Sequence, residues 1–404
     1  MTKTDIIKAA FKVWGSSFYS NTSLSNVADE LGVCKQAIYR HFLNKDALLE
    51  AMTCYFFDDF AEFIRPEYEK ALNNQDKSES IFIFINIITR FFAKNVYKFI
   101  FSMINLYEHK SNNIDVTKEL SLRGLNLKDF HTSISKNYNF EPAIMQLITT
   151  TVTSLTAKFH KERESFTKEP DEAEISKLIC TISEIIKSGF GYTDMEINAL
   201  DYKNLESRII GKADNIADDP LLKAVAAAVA EAGPWEASME QVAKRSGLSK
   251  SSLYYHFESK QDMLHRLFFN EFMRIIDFAR QGIQQSSIPL EQLYLGIFSI
   301  MEYLCSKPDI LVTLGWIRNR RLNFDPHGKK QEAPEIESMQ IFDDIDIKHR
   351  IKLTEKNKTG ISPLILILVV NTLMRKNKQA KESTEDIRFL FRFLTMGVKG
   401  FERK

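Results

Sequence analysis

The sequence predicts an all-α fold built as two related halves, and three observations carry that expectation. A segment of 27 residues, Ser23–Leu49, returns without a gap at Ser238–Leu264. Ten of the 27 positions are identical, among them Gly32/Gly247, Lys35/Lys250, Tyr39/Tyr254, His41/His256, Phe42/Phe257 and Lys45/Lys260. Helical periodicity, punctuated by Gly and Pro, fills the chain around both copies. A length of 404 residues is also too great for one typical core.

The totals narrow the classes. A composition of 44% hydrophobic and 26% charged residues is that of an ordinary globular protein, and thirty Phe imply aromatic-lined cores. The net charge of +1 means that a bound polyanion has to be met by a local patch. Four scattered cysteines, Cys34, Cys54, Cys180 and Cys305, suit a reducing compartment, as free thiols in the core. The opening MTKTDIIKAA has no apolar signal core, and the most apolar run, Pro363–Met374, is too short to span a bilayer. A cytoplasmic protein with no membrane partner is expected.

In the first half, Lys3–Trp14 has a helical apolar stripe through Ile6, Ala10, Val13 and Trp14. After a polar break, Ser23 N-caps a short helix whose inner face is Leu24, Val27, Ala28 and Leu31, and Gly32 supplies the left-handed residue past its end. Residues 35–41 form a second short helix. Lys45 opens a long helix expected to stop near Pro66. In the second half, Leu221–Glu231 is helical and Gly233-Pro234 ends it. Ser238 with Gln241 makes a capping box, Gly247 makes the turn, and Ser249 caps the helix holding Lys250–His256.

Two short helices joined by a Gly-containing turn and braced by a third form a helix-turn-helix unit, at 24–43 and 239–258. Ala28 and Ala243 stay small where the helices cross. Ile38/Leu253 and Phe42/Phe257 face inward, which leaves Lys35, Gln36, Tyr39 and Arg40 outward in the first copy. Lys250, Ser251, Tyr254 and Tyr255 are outward in the second. The run of Thr/Ser, turn Gly, Lys, Leu/Ile-Tyr-x-His-Phe, x-x-Lys and a Leu-rich helix resembles the DNA-binding domain of the TetR/AcrR family of bacterial regulators. The likeness covers about 60 residues in each half. Two departures fall in the first copy: Phe18 stands where Gly233 ends the first helix of the second copy, and Cys34 replaces a Ser or Thr cap.

The rest reads as helical. Residues 80–107 suit a buried amphipathic helix or pair, Pro142 opens a helix to about Lys161, and Asp171–Phe190 ends near Gly189 and Gly191. Pro363–Arg375 and Thr384–Phe401 repeat the last two, with Pro142 and Pro363 at first helical positions. The resemblance implies that these two pairs form a four-helix bundle, which makes the chain an intramolecular pseudo-dimer; further oligomerisation stays open. The domain organisation expected is a head at 1–61, a helical effector and dimerisation-like domain at 62–192, and a polar linker at 193–214. A second head at 215–275 and a second helical domain at 276–404 follow. Arg318–Gly360 has the look of an insertion without an equal-length counterpart, with a loop around Pro326–Pro334.

The candidate DNA-binding residues are Ser23, Lys35, Gln36, Ala37, Tyr39, Arg40, His41 and Lys45, with Ser238, Lys250, Ser251, Ser252, Tyr254, Tyr255, His256 and Lys260. Arg40 and Lys35 suit guanine edges. Tyr39, Tyr254, Lys45 and Lys260 suit phosphate or sugar, and His41 and His256 either touch phosphate or pack under the helix. No His-x-x-x-His pair, Gly-x-Ser-x-Gly elbow or Gly-rich phosphate loop occurs, so no metal, cofactor or enzyme activity is expected. The resemblance implies a repressor that binds double-stranded operator DNA and is released by a small apolar effector held in a Phe-rich core. The alternative is an effector-binding or protein-interaction scaffold with weakened DNA binding, which the near-neutral charge of the second head favours.

Overall fold

The computed structural model describes residues 1–16, 22–105, 114–134, 142–163, 168–217, 219–320, 340–347, 361–374 and 380–402, and every regular element among them is helical. The first half comprises α1 (Lys3–Ser16), α2 (Leu24–Leu31), α3 (Lys35–Tyr39), α4 (Lys45–Asn73), α5 (Lys77–Lys94) and α6 (Val96–Asn105). It continues with α7 (Val116–Leu122), α8 (Leu127–Ile134), α9 (Pro142–Glu162) and α10 (Glu172–Ser188). Two short helices follow, α11 (Asp194–Asn198) and α12 (Tyr202–Ser207). The second half has α13 (Pro220–Glu236), α14 (Met239–Ser246), α15 (Lys250–His256), α16 (Lys260–Ile283), α17 (Pro289–Ser306) and α18 (Pro308–Arg320). It ends with α19 (Ile361–Leu373), α20 (Ala380–Met396) and a 3-10 turn at Gly397–Phe401. Position by position, α1–α6 recur as α13–α18, and α9 and α10 recur as α19 and α20. The chain is thus two TetR-like halves in tandem.

Each half wraps a core around its long fourth helix. In the first, rings interlock: Phe56 meets Phe91 at 6.2 Å and Phe60 meets Phe91 at 4.9 Å between centroids. In the second, the positions equivalent to Phe56 and Phe91 are Glu271 and Tyr303, and the Tyr303 hydroxyl donates to Glu271 Oε2 at 2.7 Å. Both are buried, and Arg274 completes the site by donating to Glu271 Oε1 at 3.1 Å. A ring contact in one half is therefore a charge-assisted hydrogen bond in the other. The two cores have diverged chemically on one frame.

The halves meet through α9 and α10 against α19 and α20, the four-helix joint the resemblance implies. Gln146 Nε2 donates to the Asn371 carbonyl at 3.0 Å, and Asn371 Nδ2 donates to Thr150 Oγ1 at 3.0 Å. Beyond the helix ends the backbones cross. Phe190 and Tyr192 donate their N–H groups to the carbonyls of Leu394 and Thr395 at 2.8 and 3.0 Å. Two glycines with positive φ make this crossing possible, Gly189 (φ 54) and Gly397 (φ 63). A Cβ at Gly189 would lie 2.4 Å from the Leu394 carbonyl oxygen, and one at Gly397 would lie 2.4 Å from that of Ile186. The two positions answer each other across the joint.

Several expectations need correction. Pro66 does not end α4, which runs on to Asn73. Proline removes one helical N–H, but contacts on both sides hold the rod. Arg65 Nη2 donates to the Arg123 carbonyl at 2.7 Å, Tyr68 Oη to Asn126 O at 2.8 Å, and Ser80 Oγ to Ala71 O at 2.8 Å. Pro363 is the third residue of α19, not the first; its missing N–H still falls among the unpaired donors of a first turn. The stretch 318–360 has no equal-length counterpart, but the shorter 106–141 lies at the same place in chain order, between α6 and α9. Phe130 of α8 packs on Phe84 at 4.6 Å, and Phe342 fills the matching position against Gly296, the residue equivalent to Phe84. The loop expected around Pro326–Pro334 lies outside the described residues. The cysteines are not core residues as a set: Cys34, Cys54 and Cys180 are exposed and only Cys305 is half-buried.

The polar stretch 193–214 is a docked connector rather than a loose tether. Ile197, Leu205, Ile209 and Ala213 are buried. Glu206, also buried, accepts a bidentate bond from Arg388 at 2.7 Å to each oxygen and a hydroxyl bond from Tyr294 at 2.5 Å. Asp194 binds Arg392, Arg208 Nη1 donates to Gln285 O at 2.9 Å, and the Gly211 N–H donates to Glu302 Oε1 at 2.8 Å. The connector thus ties α20 and α17 of the second half to the end of the first.

Candidate nucleic-acid interface

Each head is a three-helix unit whose caps are specified locally. Ser23 accepts the Asn26 N–H while the Asn26 side chain accepts the Ser23 N–H; Ser238 and Gln241 do the same. Gly32 (φ 65) and Gly247 (φ 69) take the left-handed turn, and a Cβ added at either would meet nothing within 4 Å. Val27, Ala28, Ile38 and Phe42 are buried in the first head, and Val242, Ala243, Leu253 and Phe257 in the second. The long helices begin at Asn44, which accepts from Ala47 N, and at Ser259, which accepts from Asp262 N. α1 sits on α6, with Phe11 edge-on to Phe101 at 5.0 Å; α13 sits on α18, where Thr313 Oγ1 donates to Ala226 O at 3.4 Å.

The recognition helices α3 and α15 place the named side chains together. Lys35, Gln36, Tyr39 and Arg40 are exposed, Ala37, His41 and Lys45 are half-buried, and Tyr39 keeps 47% of its surface open. Lys35 Nζ lies 5.6 Å from the centre of the Tyr39 ring, so the two share one face. Burial shifts the Lys45 ammonium below its ordinary range, against a smaller opposing pull from Asp46. In the second head Lys250, Ser251, Tyr254, Tyr255 and His256 are exposed, and Ser252 and Lys260 are half-buried. Tyr255 is 90% exposed and stands edge-on to His256 at 5.8 Å. Ser23 and Ser238 lie at helix starts with hydroxyls engaged in capping.

The heads differ beyond their reading faces. Ser249 accepts the Ser252 N–H at 3.0 Å and caps α15, whereas Cys34 makes no side-chain cap and α3 is two residues shorter. The expected break at Gly233 is present, with φ 83 inside α13; Phe18 lies outside the described residues. The end of the first helix of the motif has exposed Asp29 and Glu30 in one copy and exposed Lys244 and Arg245 in the other. A tie to the bracing helix starts from the same position of the motif helix in both heads, with its polarity reversed and its partner one turn further along in the second head. Lys12 pairs with Glu30 at 3.5 Å in the first head, and Glu231 pairs with Arg245 in the second.

Sequence reasoning passed over Lys3, whose Nζ stands 5.9 Å from the centre of the Phe42 ring. It lies far from the motif in the chain, and only the return of α1 onto the end of α3 brings it there. A lysine as the first residue of the bracing helix was the available signal, since Lys is a common phosphate partner. Among the described residues no group of three His, Cys, Asp or Glu side chains is placed to hold a metal ion, and no helix is long and apolar enough to cross a membrane.

The family model for bacterial regulatory proteins, tetR family, matches the chain twice, over residues 6–52 and 221–267. Both matches span a bracing helix, a helix-turn-helix and the start of the long fourth helix. No curated protein matches the chain. The chain thus carries two heads of the tetR family of bacterial regulatory proteins, in tandem on one all-helical frame.

Proposed function

We propose that the chain is a repressor that reads one operator with two unlike heads. The observation that carries this reading is the pairing of two heads on one frame with different outward residues. Arg40 stands against Tyr255, Gln36 against Ser251 and Ala37 against Ser252. The halves are joined through one bundle, so a single chain supplies what two subunits supply in a homodimer. Domain limits of 1–61, 62–192, 193–214, 215–275 and 276–404 accord with this division. Heads set about 34–36 Å apart would dock in successive major grooves. The matched operator is then an imperfect palindrome. Arg40 and Lys35 are assigned to base edges and Tyr39, Tyr254, Lys45 and Lys260 to the backbone.

Release follows from a small apolar effector that enters a helical core and favours a different head spacing, a shift of population between two states. The Phe-rich first core suits such a molecule better than the second, where Glu271, Arg274 and Tyr303 bring charge inside. The test uses duplexes selected from a random pool by the full chain. Tyr39→Ala with Arg40→Ala should weaken binding and relax one half-site only, and Tyr254→Ala with Tyr255→Ala should relax the other. A reporter placed behind the selected duplex should be silenced by the wild-type chain. Loss of preference at both half-sites from either pair, or a reporter that rises with the chain, contradicts the proposal.

A further inference from the structure

The first head carries a groove beside its recognition helix that no motif residue explains. Its open volume is about 340 Å³, and Lys3, His41, Phe42, Leu43, Ala47 and Glu50 line it. The groove follows from small side chains on α4. Ala47, Ala51 and Cys54 stand where the second head has Asp262, Arg266 and Phe269. Phe42 is buried beneath it and ends the turn after α3, while Leu43 is 82% exposed on its rim. Lys3 is held over this floor by the first turn of α1, where the Thr2 N–H donates to Asp5 Oδ2 at 2.6 Å and the Asp5 N–H donates to Thr2 Oγ1 at 3.2 Å.

Both heads set a cation over the Phe that follows the recognition helix, but from different elements. In the second head it is Arg266, 5.8 Å from the centre of Phe257, and its Nε is already committed to Asp262 at 2.9 Å. Lys3 is exposed and forms no ion pair with a described residue. The exchange matters because the heads also differ in the charge beside the turn. Asp29 in the first head repels the backbone of a duplex where Lys244 in the second attracts it, while Glu30 and Arg245 are each paired with the bracing helix.

We propose that Lys3, with His41, grips a DNA backbone phosphate at this groove. The grip gives the first head the anchorage that its acidic first motif helix denies it, and Lys244 serves the second head instead. The proposal rests on the reading of the heads as DNA-binding. An ammonium and an imidazole on the flank of a recognition helix suit a compact anion, and the anion that a docked duplex presents there is phosphate. Glu50 also lines the groove and opposes a second anion there. A contact of this kind carries no sequence information and registers only in affinity and salt dependence.

The test compares the wild-type chain with Lys3→Met, which keeps an apolar stem over Phe42 and removes the charge. Binding to duplexes selected by the wild-type chain is measured at several salt concentrations. One lost phosphate contact makes the log–log slope shallower by about 0.9, so the wild-type advantage shrinks about 3.5-fold between 50 and 200 mM salt. The loss should be the same on every duplex sequence. A neutral methylphosphonate at one backbone position of the first head's half-site should weaken the wild-type chain more than Lys3→Met, which has only the His41 contact left to lose there. An unchanged slope overturns the proposal. The paired Tyr39→Ala, Arg40→Ala variant separates the causes. If it weakens binding while Lys3→Met is silent, only the Lys3 grip fails; if both are silent, the first head does not bind DNA and the proposal falls with that reading.

Discussion

Replacing Gly189 with Ala is the sharpest probe of the joint between the halves. The residue has φ 54 and ψ −136, the mirror of the extended region and populated essentially by Gly, where a side chain adds strain of about 1–3 kcal/mol. Its new Cβ would lie 2.4 Å from Leu394 O and 2.6 Å from Met396 N, both backbone atoms of the other half, which cannot swing aside. Overpacking of that kind costs about 1–3 kcal/mol, and together the two amount to about 2–6 kcal/mol. Gly32→Ala and Gly247→Ala provide the internal control. They have similar positive φ but nothing within 4 Å, so only the strain of about 1–2 kcal/mol applies. Urea unfolding of the full chain reads all of these. Gly189→Ala and Gly397→Ala should fall together and well below the two controls. If Gly189→Ala is no worse than Gly32→Ala, the halves do not cross where the reciprocal contacts put them.

Three further outcomes follow from named side chains. His160 is buried with its Nε2 at 3.0 Å from the Phe92 carbonyl, and burial pushes its pKa down to about 4. The unfolded chain protonates this group near 6.5, so its contribution is present above that pH and is lost as pH falls toward 4, by about 3 kcal/mol in all. Urea midpoints of His160→Phe should fall less between pH 7 and 4.5 than those of the wild-type chain; parallel profiles contradict the assignment. Cys34→Ser should add the missing cap to α3, worth about 1 kcal/mol, and slow amide exchange at the start of that helix. Glu206→Ala should destabilise by about 2 kcal/mol, since it strands a buried Tyr294 hydroxyl and a guanidinium that is more than a third exposed. A second substitution, Arg388→Met, should recover part of that loss, and no recovery contradicts the pairing.

The heads were legible in the sequence because their physics is local. Caps at Ser23, Ser238 and Ser249, left-handed turns at Gly32 and Gly247, and apolar spacing through Phe42 and Phe257 each involve residues a few positions apart. What was not legible depended on distant partners. Pro66 marks an end by propensity, yet Arg123 and Asn126, about sixty residues on, carry the helix through it. Polar composition marked 193–214 as a linker, but Glu206 is buried because Arg388 and Tyr294 answer it from the other end of the chain. A packing shared by 114–134 and 340–347 was hidden by the polar residues around them. It shows in Phe130 and Phe342, each seated on the same position of the fifth helix of its half. Lys3 reached the interface by the same kind of long-range return.

The central claim is that one chain, not a pair of chains, engages an operator through two different heads. Native mass spectrometry of the full chain with a selected duplex tests this directly, read together with the consensus of the selected pool. One chain per duplex, with two unlike half-sites in the consensus, is the predicted result. Two chains per duplex on a symmetric consensus would contradict it.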